Sequence, residues 1–121
     1  MTWITGFERR SFDLPNATAV ARVGGNPANP ALVLLHGFPQ THVVWHRVAK
    51  KLADRFFIVM PDLRGYGDSA LKPDVAELPD HSLHSKRAMA KDVLDVVSQL
   101  GINRFYLCGH DRGGRVAHRL A

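Results

Sequence analysis

The residues best suited to chemistry lie near the end of the chain, in Gly109-His110-Asp111-Arg112-Gly113, where a carboxylate stands between two glycines at the spacing G-x-D-x-G. This is the form of a nucleophile elbow, with aspartate in the place where serine is more usual. The spacing has a steric cause. When a chain reverses sharply from strand to helix, the central residue is held in a constrained conformation, and its flanking positions must be nearly bare to avoid collision. The central side chain is then lifted clear of the sheet at the positive end of a helix. An aspartate before a helix also serves as an ordinary N-cap, and taken alone that is the commoner role. An apolar run on one side, glycines at both flanks and two further glycine-bearing loops turn the balance toward a nucleophile at Asp111.

Serine needs a base to become nucleophilic, whereas a carboxylate is already anionic at neutral pH. Arg112, Arg115 and a helix N-terminus nearby all favour that charged form. A carboxylate suits displacement at a saturated carbon bearing a leaving group. The product is an alkyl ester that water then hydrolyses, so haloalkyl or epoxide carbon fits better than an amide.

Such a turn needs a scaffold, and the pattern upstream supplies one. Phe7–Leu14 and Ala17–Val23 read as hairpin strands joined around Pro15-Asn16. After the turn-rich stretch 24–30 comes Ala31-Leu32-Val33-Leu34-Leu35, an apolar run expected of a strand buried on both faces of a parallel sheet. A helix over roughly Val44–Asp54 leads to a second such strand, Phe56–Met60. Ala70–Ser82, with two prolines and mixed charges, is expected to be a surface loop. Ser85 is a candidate N-cap for a helix in which Met89, Val93, Val96, Val97 and Leu100 recur at helical spacing, with Gly101 as its stop. A third buried strand, Arg104–Cys108, feeds the Asp111 turn, and a new helical pattern runs over Arg115–Ala121.

Strand and helix alternate here as in an α/β fold with right-handed crossovers: a mostly parallel sheet, helices on both faces and an N-terminal β-hairpin. Sites in such sheets lie outside the carboxyl ends of the strands. All three parallel strands are followed there by glycine-bearing loops, His36-Gly37-Phe38-Pro39, Asp62-Leu63-Arg64-Gly65-Tyr66-Gly67 and the Gly109 turn.

Four segments together, His36–Gln40, Pro61–Ser69, Ser85–Asp92 and Gly109–Arg115, resemble the haloacetate (fluoroacetate) dehalogenases of the α/β-hydrolase superfamily. The likeness covers nearly the whole chain from Gly6 onward. The first two segments are shared by many α/β-hydrolases, and the last is far more specific. Related haloalkane dehalogenases and epoxide hydrolases typically place Trp after the nucleophile, whereas this chain has Arg112 there and Arg115 at i+4 from Asp111. The resemblance implies that Arg112 and Arg115 clamp the carboxylate of a small anionic substrate, a 2-haloacid. Held there, the substrate is offset against repulsion from Asp111, and its α-carbon is aimed at the attacking oxygen. The alternative for Arg115 is a routine helix ion pair with Asp111, worth a few tenths of a kcal/mol. The resemblance further implies that the backbone N–H groups of Phe38 and Arg112 form the oxyanion hole for ester hydrolysis.

In this fold the histidine base and its acidic partner follow the nucleophile in chain order. Only His118 lies beyond Asp111, seven residues along the same expected helix and displaced by roughly 10 Å along its axis. The 121 residues are therefore expected to be the N-terminal part of a single α/β-hydrolase core domain, cut after the elbow. The cap domain and C-terminal half would be absent, and the fragment inactive alone. Two other functions stay open: an epoxide hydrolase using the same aspartate, and a non-catalytic half-domain that associates with a partner.

Bulk composition bounds the rest. Hydrophobic residues at 45% and charged residues at 22% are ordinary for a soluble globular protein. The formal charge of +5 comes from basic residues scattered along the chain, without the aromatic-basic interleaving of a single-strand binder, so nucleic acid is not expected as a partner. No apolar run is long enough to span a bilayer, and Glu8, Arg9 and Arg10 interrupt the start where a secretion signal would be apolar. A single cysteine, Cys108, fits a cytoplasmic setting and, on a buried strand, is expected to be inert. The seven histidines show no metal-ligand spacing, so neither metal nor other cofactor is expected. His110 is expected to be a packed support for the turn. Arg64 and Asp68 are expected to form structural ion pairs, and Trp45 to pack. A homodimer of the full-length protein stays open.

Overall fold

Ala31–Leu35 is buried at every position, as expected of a strand covered on both faces. In the computed structural model, which describes residues 7–15, 17–36, 45–63, 69–71, 86–110 and 112–120, this segment is β3 of nine elements. The side chains of residues 71, 86, 112 and 119 lie outside that description. The others are β1 (Phe7–Asp13), β2 (Ala17–Gly24), α1 (His46–Leu52), β4 (Phe57–Pro61), β5 (Ala70–Leu71), α2 (Lys86–Gln99), β6 (Phe105–Gly109) and α3 (Arg112–Leu120). The expected strands and helices are present, with no end shifted by more than three residues.

The six strands form one sheet in the order β1-β2-β4-β3-β6, with β5 pairing β2 off this path. The hairpin pairs from Phe7 with Gly24 to Asp13 with Thr18. β2 is antiparallel to β4, whereas β3 runs parallel to both β4 and β6. The three long-range strands therefore point the same way, and their carboxyl ends share one edge.

Alternation along these strands divides the core into two layers. Leu32, Leu34, Ile58 and Met60 face one way and pack with Phe7 and Ala49, and Trp45, Leu52 and Phe56 close that cluster around α1. Val33, Leu35 and Val59 face the other way. There they meet Met89, Val93, Val96 and Val97 of α2 and Val116 of α3. Helices thus cover both faces. α2 buries the stripe expected from its spacing, Leu100 packs half-buried against it, and Gly101 ends the element with φ of +75°. Within the described residues no helix is long and apolar enough to cross a membrane.

Two expectations need correction. Ala70–Leu71 is not loop: Ala70 pairs with Thr18 and Leu71 with Ala17, lengthening the sheet beside β2. The remainder of that stretch, 72–82, falls outside the described residues, as do Ser85, Arg64 and Asp68. The third parallel strand is not buried on both faces. β6 alternates half-buried and exposed residues: Phe105 and Leu107 pack against the α2/α3 layer, and Tyr106 and Cys108 are exposed. The cause is position. Among the described residues β6 pairs with β3 alone, and the cluster under α1 draws on β3 and β4 but on no residue of β6. Tyr106 meets the Phe56 ring in a T-shaped contact, at a centroid distance of 5.9 Å.

Candidate active site

The elbow is built where β3 and β6 leave the sheet together. Leu35 is the register partner of Gly109. One step further, the Leu35 carbonyl accepts the N–H of His110 at 3.0 Å, carrying the ladder past the end of β6. The His110 carbonyl then accepts the N–H of Gly113 at 2.9 Å. That bond ties Gly113 back to His110, and α3 starts at Arg112. The amide-rich, positive end of α3 therefore lies at the turn and favours an anion there.

The glycine requirement inferred from spacing has a direct structural counterpart. A Cβ on Gly109 would fall within 3.0 Å of the Gly113 carbonyl, and a Cβ on Gly113 would fall within 3.0 Å of the carbonyl oxygens of both Leu35 and His36. These are backbone atoms that cannot swing aside. Gly114 is different, since its nearest neighbour would be the Gly109 oxygen at 3.6 Å, an ordinary contact.

Two further ties hold the adjacent strand ends. His36, fully buried just beyond β3, accepts the N–H of Leu63 on its Nε2 at 2.9 Å. A neutral imidazole accepting there carries its proton on Nδ1. Leu63 has passed the end of β4 and needs an acceptor; left orphaned, a buried amide costs about 1–3 kcal/mol. The second tie is at Val20. Its carbonyl accepts the N–H of buried Asp62 at 2.9 Å, and its N–H donates to the hydroxyl of buried Ser69 at 2.9 Å. Asp62 and Ser69 are thus both fastened to one residue of β2.

Asp111 and Phe38, assigned from sequence as nucleophile and oxyanion donor, lie outside the described residues, as does the side chain of Arg112. Arg115 is exposed on α3, and so is His118, confirming that the latter shares the helix that follows the turn. His110 is exposed rather than a packed support, because its contribution to the turn is made by backbone atoms. Cys108 is also exposed, contrary to expectation, since it faces the uncovered side of β6. Trp45 packs half-buried against the α1 layer as expected, though its indole N–H is buried without a hydrogen-bond partner. Among the described residues no three of His, Cys, Asp and Glu gather into a group that could hold a metal. His36 and Ser69 stand within the first two motifs, and sequence alone assigns them no task. The available signal was a polar residue placed directly against an otherwise apolar strand end.

Residues 30–121 match the family model for the alpha/beta hydrolase fold. The chain is 53% identical over 116 residues to a fluoroacetate dehalogenase of Burkholderia sp, covering 96% of this chain and 36% of that protein. It is 46% identical over 90 residues to a soluble epoxide hydrolase of Corynebacterium sp. (strain C12), covering 74% of this chain and 29% of the relative. Among solved structures, ALR0039 from Nostoc sp PCC 7120 superposes with a TM-score of 0.88 at 50% identity, covering 97% of this chain and 38% of that one. The chain thus spans about a third of the length of the curated relatives it matches. The sheet order, the glycine-flanked turn and the match over residues 30–121 together place this chain in the α/β-hydrolase family.

Proposed function

We propose that the protein carrying these residues is a hydrolytic dehalogenase of short 2-haloacids, with Asp111 as nucleophile. A carboxylate oxygen of Asp111 attacks the α-carbon, the carbon–halogen bond breaks, and halide leaves with the bonding pair. The aspartyl ester is then cleaved by water adding to the aspartyl carbonyl carbon. The backbone N–H groups of Phe38 and Arg112 hold the oxyanion that forms, and collapse returns Asp111 and releases a 2-hydroxyacid. Arg112 and Arg115 bind the substrate carboxylate. The observation that supports the reading is the turn closed from His110 to Gly113, with no room for side chains at Gly109 or Gly113, directly before the helix α3 on which Arg115 is exposed.

This chemistry leaves an isotopic record. In a single turnover of haloacetate in heavy-oxygen water, the label enters the Asp111 carboxylate, and the first hydroxyacid released carries an unlabelled hydroxyl. Mass spectrometry of the peptide containing Asp111 reads this directly. Label appearing in the first product instead, or free halide released undiminished by Asp111→Asn, overturns the assignment. The similarity to the Corynebacterium epoxide hydrolase supports a second reading with the same nucleophile. Turnover of a simple epoxide with no halide release from haloacetate would select it.

A further inference from the structure

We draw no further inference here: the strongest candidate, the groove at the amino ends of β3 and β6 lined by Pro30, Ala31, Arg104, Phe105 and Tyr106, opens beside the exposed side of β6, and among the described residues nothing shows what covers it.

Discussion

The space that a side chain on Gly113 would occupy is taken by the carbonyl oxygen of Leu35, the last residue of the central parallel strand. Strand end and helix start are thereby packed backbone to backbone, which is what allows the chain to turn within two residues between β6 and α3.

Substituting Gly113 with alanine should therefore be severe, destabilising the protein by about 3 kcal/mol or more, because neither carbonyl can yield without moving β3. Gly114→Ala should go the other way. Its Cβ meets nothing nearer than 3.6 Å, and alanine is favoured over glycine in a helix by roughly 0.5–1 kcal/mol. Denaturant midpoints for the two variants check both signs, and equal effects would contradict the packing described.

Arg115→Lys distinguishes a carboxylate clamp from a surface charge. A guanidinium fork can hold a carboxylate through two bonds, whereas an ammonium acts as a compact point charge. The clamp predicts a loss in kcat/KM for haloacetate of about 30-fold, on the order of 2 kcal/mol in transition-state binding. A residue that merely pairs with Asp111 at i+4 should lose less than about twofold.

Ser69 should matter to stability although it lies outside the chemistry. Its hydroxyl accepts the Val20 amide at 2.9 Å in a buried setting, and Ser69→Ala leaves that amide without an acceptor. The expected cost is about 1–3 kcal/mol. Faster amide exchange at Val20, together with a lower unfolding midpoint, is the signature to look for.

The exposed side of β6 predicts self-association of the 121-residue chain. Tyr106 is 64% exposed on a strand that pairs, among the described residues, on one side only. Such an edge invites pairing with another copy. Sedimentation should show oligomers or aggregates, and Tyr106→Lys should raise the monomer fraction by placing a charge on the edge. A monodisperse wild-type monomer with a single cooperative calorimetric transition would refute this.

What could be read from the residues in order was whatever depends on a short stretch of chain. Ala31–Leu35 is apolar throughout and is buried throughout. Met89, Val93, Val96 and Val97 recur at the helical period and form one wall of the core. The glycines at 109 and 113 were expected from the steric demands of a sharp bend, and backbone carbonyls fill the space beside both. In each case the period of the backbone or the size of one side chain carries the information.

Lateral neighbours were not legible in that way. Arg104–Cys108 reads, like β3, as a buried strand, yet among the described residues β6 pairs on one side only and its Tyr106 and Cys108 are exposed, because burial depends on which strand and helix lie alongside. Ala70–Leu71 became a strand only because β2 offered free backbone partners far away in sequence. His36 stands in a familiar motif, but its bond to Leu63 joins residues 27 apart. Pairings of that range are settled when the whole sheet assembles and each buried amide must find an acceptor, so only the tertiary structure could assign them.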